Sequence, residues 1–292
     1  MGRSNKIVSQ PMCNWLLLMV FVMQFVVYLL GKTVWGIFSS KPAELYYYIA
    51  VVEILAVALP MFLLCLFNGS GFGKTFALKT VKFSKLCSCL CMGICLQPVA
   101  VVANTLWQRL LDIKPSGVYY VLPTGLKEFG VVFLCLCVAP ALCEEFLLRG
   151  MYLTAVRRKG YVFAVVTSTV MFVLLHSDVS MVVAHAILGV ATAVVVLNTN
   201  SVYSGILLHI SFNLSGIGTD VLISKYNFLG NFGIYIAASI LGLFFTLLLM
   251  KRIRTKKSKN TGVKELALNL LKAFFNFPIL IIIIIYFYRI VG

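Results

Sequence analysis

Long apolar runs, each closed by a short polar or basic stretch, follow one another from residue 15 to residue 290. A helix needs roughly 17–25 predominantly apolar residues to cross a bilayer. The pattern predicts nine such helices, near residues 15–30, 45–67, 86–106, 129–159, 161–175, 179–197, 202–217, 232–250 and 271–290. The last is rich in isoleucine and could lie in the interface instead of crossing. Between the runs stand Lys32 and Lys41, then a Gly-rich stretch from Asn68 to Gly73 followed by Lys74, Lys79, Lys82 and Lys85. That stretch lacks the Gly-x-x-x-x-Gly-Lys-Ser/Thr spacing of a phosphate-binding loop and reads as a flexible cytoplasmic loop. Further on come a mixed segment 107–128 with Asp112, Pro115, Gly117 and Pro123, the cluster Arg157-Arg158-Lys159, and a basic run over 251–259.

Lysine and arginine concentrate in cytoplasmic loops. Placing 68–85, 157–159 and 251–259 on that side puts the N-terminus in the cytoplasm and the C-terminus outside. The expected fold is all-α, a polytopic transmembrane helical bundle in the cell membrane. Its expected organisation is N-terminal transmembrane helices over 1–128, a core over 129–217, and a C-terminal helix, basic loop and final apolar segment over 218–292.

Composition agrees with that class. Hydrophobic residues make up 61% of the 292-residue chain and charged residues 12%, against about 25% charged in soluble domains. The net charge of +16 resides in short loops, where it suits anionic lipid, so no nucleic-acid partner is expected. No small-residue cleavage site follows the first apolar run, which reads as a retained span. The nine cysteines form no disulfide framework, since eight lie within apolar runs. Cys87, Cys91 and Cys95 share one helix face, but no histidine or acid accompanies them, and they read as small packing residues.

The chemistry begins where the apolar pattern is broken. Glu144, Glu145 and Arg149 stand inside the fourth run, although an ionisable side chain at mid-bilayer costs about 2.5–3.5 kcal/mol. Glu145 and Arg149 are four residues apart, on one face, with the acid first, the favourable order for an ion pair. Glu144 lies about 100° round the helix and has no such partner. A free, desolvated carboxylate can serve as a general base or acid near neutral pH. The competing reading makes both acids helix-end residues at the membrane surface. Pro140, one turn earlier, can kink the helix and release backbone carbonyls near the acids. Glu53, alone in the second run, reads as structural, facing the bundle or pairing with a lysine.

Depth tests whether other polar groups can join the acids. Counting from Arg157 at about 1.5 Å per residue puts Glu144 and Glu145 about 18–20 Å deep. The same arithmetic gives about 24 Å for His176, about 12 Å for His209 and about 18 Å for Asn213. His209 and Asn213 share a helix face. Each group has a plainer reading taken alone: His176 as a loop-end residue, Asn213 as glue between helices, and His185 as a satisfied interhelical hydrogen bonder.

Taken jointly, Glu144-Glu145-x-x-x-Arg149, Phe172-x-x-x-His176 and His209-x-x-x-Asn213 resemble the three motifs of the CPBP family. These are the CAAX prenyl protease and bacteriocin-processing (Abi) intramembrane proteases. The resemblance covers about residues 129–217. It implies a core of about eight helices with a polar cavity inside the bilayer, and hydrolysis of a peptide bond in a membrane-embedded or lipidated peptide or protein. It implies that Glu144 and His176 activate a water molecule. His209 and Asn213 would then stabilise the oxyanion, with Glu145 and Arg149 bracing the site. Members have also been called metalloproteases, which would make Glu144, His176 and His209 the ligands of a Zn²⁺ ion with an open fourth position. The chain lacks His-Glu-x-x-His, and an asparagine has no natural place in such a site, so a metal-free mechanism without cofactor is preferred. Two other classes stay open. One is a non-catalytic bacteriocin-immunity or scaffold protein of the same fold. The other is a transporter with a buried proton relay, against which stands the absence of any visible inverted repeat.

Overall fold

The computed structural model describes residues 7–33, 44–114, 121–254 and 262–291. Lys41, Pro115 and Gly117, and the basic run beyond Arg254 up to residue 261, lie outside the described residues. The described residues are helical almost throughout and contain no strand. Ten helices carry the fold: α1 (Gln10–Thr33), α2 (Leu45–Phe67), α3 (Phe83–Leu110), α4 (Leu126–Lys159), α5 (Tyr161–His176), α6 (Val179–Thr199), α7 (Val202–Lys225), α8 (Phe232–Ile253), α9 (Val263–Phe274) and α10 (Phe277–Val291). The chain is a multi-pass membrane protein with an all-α fold.

The expectation of nine crossings is corrected. Among the described residues seven helices are long and apolar enough to cross, namely α1, α2, α3, α4, α6, α7 and α8. The bent pair α9 and α10 would make an eighth if counted as one span. Helix α5 has 16 residues. It rises about 24 Å, less than a hydrocarbon core of about 30 Å. The last apolar run is not one straight helix, because α9 and α10 meet at 67°. Pro278 lacks the N–H that would return to Phe274 O. Asn276 takes over the exposed backbone there. Its Nδ2 donates to Ala273 O (2.6 Å) and its Oδ1 accepts from Ile279 N (3.4 Å).

Two helices widen into π turns, and both do so just before a proline. In α2 the wide stretch is Glu53–Ala58 and Pro60 follows; in α4 it is Phe133–Val138 and Pro140 follows. A proline removes one donor from the ladder, and single π turns of this kind recur at functional sites. A second wide stretch in α4, Phe146–Tyr152, has no proline and carries Arg149.

Helix α3 runs through the middle, packed on α7 and α8. The approach is close enough that a methyl group at Gly93 would collide with Leu208 O and Ser211 Oγ of α7. Helix α1 lies on α10, with Trp15 and Phe277 rings 6.0 Å apart. The stretch after Asn68, expected to be a flexible loop, is folded against the turn between α6 and α7: Ser201 Oγ donates to Lys79 O (2.6 Å) and Val202 N to Ala77 O (3.2 Å). All nine cysteines are free.

Candidate active site

Helix α4 brings three charges into the middle of the bundle. Glu145 and Arg149 are both fully buried, and Arg149 Nη1 lies 3.5 Å from Glu145 Oε1. The guanidinium also spans two other helices. Its Nη2 donates to Gly189 O of α6 (3.1 Å), and its Cζ stands 4.3 Å from the centre of the Phe172 ring of α5. A cation over an aromatic face is attracted by the ring quadrupole, more so out of water. Glu145 Oε1 in turn accepts from His209 Nδ1 of α7 (3.2 Å). Arg149, Glu145 and His209 therefore form one buried polar chain linking four helices. Gly205 makes room for it. A Cβ there would sit 2.7 Å from Glu145 Oε2 and 2.9 Å from Val196 Cγ2.

Glu144, on the neighbouring face, meets a different partner. Its Oε1 lies 3.7 Å from His176 Nε2, beyond a direct hydrogen bond. The His176 tautomer follows from its other nitrogen. Nδ1 lies 2.9 Å from Phe172 O, and a carbonyl only accepts, so Nδ1 carries the proton. In the neutral ring Nε2 is then an acceptor facing a carboxyl group. Two acceptors at this separation need a proton in common, on one of them or on a molecule between them.

The third histidine joins this side. His185 of α6 stacks on His176, with ring centres 3.8 Å apart and planes 28° apart. Its Nδ1 is buried without a hydrogen bond. The satisfied interhelical bond expected of it is not made at that nitrogen. The Phe172 ring touches all three imidazoles, at 4.6 Å from His176, 5.7 Å from His209 and 6.3 Å from His185. Glu53, expected to be structural, is buried, and its wide turn packs against Ala139–Glu145. Its Oε2 has no hydrogen-bond partner.

Asn213 is held by the proline effect. Pro140 has no N–H to offer Leu136 O, four residues earlier. Asn213 Nδ2 donates to that carbonyl instead (3.2 Å). Asn213 also lines a cavity of about 460 Å³ with Gln97, Gln108, Met181, Ala184, Phe212 and Asp220.

Residues 127–215 match a family model described as type II CAAX prenyl endopeptidase, Rce1-like. The match covers less than a third of the chain. No curated protein and no solved structure matches the chain. The matched stretch contains Glu144, Glu145, Arg149, His176, His185, His209 and Asn213, while Glu53 lies outside it. In general terms it supports an intramembrane protease.

His209 Nδ1 is turned to Glu145 and His176 Nδ1 to a backbone carbonyl, which leaves Nε2 of each ring for another partner, as in histidines that bind zinc. Among the described residues, however, no three of His, Cys, Asp and Glu are grouped to hold a metal ion.

His185 and Glu53 carried a signal that depth could have read. His185 stands nine residues after His176, across a tight turn capped by Asp178, whose Oδ1 accepts from Ser180 N (2.8 Å). Six residues of helix return it about 9 Å into the bundle, towards the level of Glu144. Glu53 is fourteen residues from the end of α2 at Phe67, about 21 Å, the depth of Glu144.

Proposed function

We propose that the chain is an intramembrane endopeptidase that hydrolyses a peptide bond in a membrane-associated or lipidated peptide or protein, without a metal. Glu144 and His176 act as the base, His209 and Asn213 stabilise the oxyanion, and Arg149 with Glu145 brace them. The observation that carries the reading is the approach of Glu144 Oε1 to His176 Nε2 at 3.7 Å, with the far nitrogen of that imidazole fixed on Phe172 O.

The steps follow from which atoms hold protons. The attacking water bonds through oxygen to the scissile carbonyl carbon and gives a proton to the Glu144–His176 pair. The carbonyl oxygen takes up negative charge. Nδ2 of Asn213 has two hydrogens, one used on Leu136 O and one free for the oxyanion. His209 donates Nδ1–H to Glu145, so it reaches the oxyanion from Nε2 as an imidazolium, balanced by Glu145. Donors aimed at developing charge in a dry site are commonly worth about 10²–10³ in rate. The C–N bond then breaks as the pair returns its proton to the leaving amine. The cavity beside Asn213, part amide and part apolar, suits an extended peptide backbone delivered from the membrane.

The test uses the purified full chain in nanodiscs and a fluorogenic peptide library, each member tethered by a lipid or an apolar helix. Glu144→Gln should lower turnover about 10²–10⁴-fold, with an unchanged melting midpoint, and activity should survive a strong zinc chelator. Unchanged turnover in Glu144→Gln would sink the proposal and favour a scaffold or immunity role. Loss on chelation, restored by Zn²⁺, would sink its metal-free form.

A further inference from the structure

The folded Gly-rich stretch builds a second site, away from the carboxyl groups. Four cations from two separate segments, Lys74, Lys79, Arg157 and Arg158, line one recess of about 600 Å³. Asn200, from a third segment, lines it too. Among the described residues no carboxylate lines it. Like charges do not gather round a hollow for stability, since each repels the others. Here the backbone holds them together. The stretch is pinned at Ala77 O and Lys79 O by Val202 N and Ser201 Oγ. On the inner side Phe76 is buried, stacking edge-on against Phe146 (5.6 Å) and packing on Gly150, where a Cβ would lie 3.1 Å from Phe76 Cα. Across the recess Arg157 is aimed by Asn200, whose Oδ1 accepts from Nη1 (2.9 Å). The result is a hollow of fixed backbone rimmed by four exposed cations from two segments.

Its occupant can be read from the rest of the lining. Ile7, Ala77 and Leu78 stand beside the cations. The recess sits where α2 and α4 end and α7 begins, at the level where a bundle leaves the bilayer. Phe67 and Phe83, which bracket the stretch, are 86% and 80% exposed, as apolar side chains are when acyl chains cover them. A phosphate group fits the cations, and an attached hydrocarbon fits the remaining lining. We propose that this recess binds the phosphate of an anionic phospholipid headgroup at this end of the bundle. The site is independent of the protease reading.

Native mass spectrometry of the full chain tests it, with phosphatidylglycerol, phosphatidylcholine or inorganic phosphate added to the detergent-solubilised protein. Phosphatidylglycerol should be retained in preference to phosphatidylcholine. A cation in direct contact with the headgroup contributes about fivefold to binding anionic lipid. The double variant Lys79→Gln, Arg158→Gln should therefore weaken phosphatidylglycerol retention about tenfold or more, with an unchanged melting midpoint. Lys251→Gln with Arg252→Gln removes the same charge outside the recess and should leave retention within about twofold of the parent. Equal loss in both double variants would overturn the proposal in favour of general surface charge. So would equal retention of the two lipids. Inorganic phosphate binding that needs Lys79 and Arg158, without phosphatidylglycerol preference, would overturn the lipid and assign a soluble phosphate.

Discussion

Glu145 and Glu144 are neighbours on one helix, yet they face two differently built regions. Around Glu145 everything is sealed: Arg149 is 0% exposed and His209 1%, and each is tied to at least one further group. Around Glu144 the arrangement is looser. The side chain of His176 is 23% exposed and the Glu144–His176 approach is longer than a hydrogen bond, while buried atoms without a hydrogen-bond partner occur on both sides, at Glu144, His185 and Glu53 and at Glu145 and Arg149. A rotation of about 100° separates the two environments. The comparison teaches that one region spends its charges on holding four helices in register. The other leaves an imidazole partly open and 3.7 Å from a carboxyl group, which is what a reacting water would need.

The sharpest way to test this division is to damage each side and ask what fails. Glu144→Gln, on the open side, should abolish turnover and spare stability, as set out above. Arg149→Met, on the sealed side, should do the reverse in order of cause. It leaves Glu145 buried beside a single imidazole and removes the contacts to Gly189 O and the Phe172 face. Breaking a buried pair on one side costs about 3–5 kcal/mol, so the melting midpoint in detergent should fall by many degrees. Arg149→Lys keeps the charge but not the planar fork that meets three groups at once, and should fall between. If Arg149→Met melted like the parent and lost only activity, the sealed region would not be a brace and the division would fail.

How much of this could be read from the chain depended on whether the relation lay within a helix or between helices. The Glu145–Arg149 spacing and the separate face of Glu144 follow from 3.6 residues per turn, and so does the shared face of His209 and Asn213. Depth put the polar groups at overlapping levels. Depth does not fix the rotation of a helix about its axis, so the sequence reading could not tell that His209 Nδ1 meets Glu145. Asn213 illustrates the same gap. Pro140 was read as freeing a carbonyl, but the amide that fills the vacancy comes from α7, more than seventy residues on. The nine-span reading failed for a simpler reason. Hydropathy registers the length of an apolar run, and cannot see that α5 is a short helix buried by its neighbours or that Pro278 breaks the last run.

A smaller perturbation asks how tightly the sealed region is packed. Gly205→Ala adds one methyl group between Glu145 Oε2 and Val196 Cγ2, each closer than 3.0 Å to the new atom. Overpacking of this kind costs about 1–3 kcal/mol, and the melting midpoint should drop by correspondingly less than in Arg149→Met. Shortening the acid should relieve it, so Gly205→Ala combined with Glu145→Asp should melt higher than Gly205→Ala alone. A double variant less stable than either single one would mean that the space is set by Val196, not by the carboxylate.

The mildest expected effect falls on the open side, at His185. If its place is to hold the His176 ring from behind, stacking is what counts and the nitrogens do not. Phenylalanine keeps a flat ring of similar size, so His185→Phe should retain turnover within about twofold. Alanine removes the ring. An aromatic pair contributes about 0.5–1.5 kcal/mol beyond its buried area, and His185→Ala should lower kcat about two- to tenfold with KM unchanged. The contrast between the two variants decides the role. Equal and severe loss in both would mean that an imidazole nitrogen of His185 takes part in moving the proton. The open region would then act through a carboxylate and two histidines, and the base would have to be sought in all three.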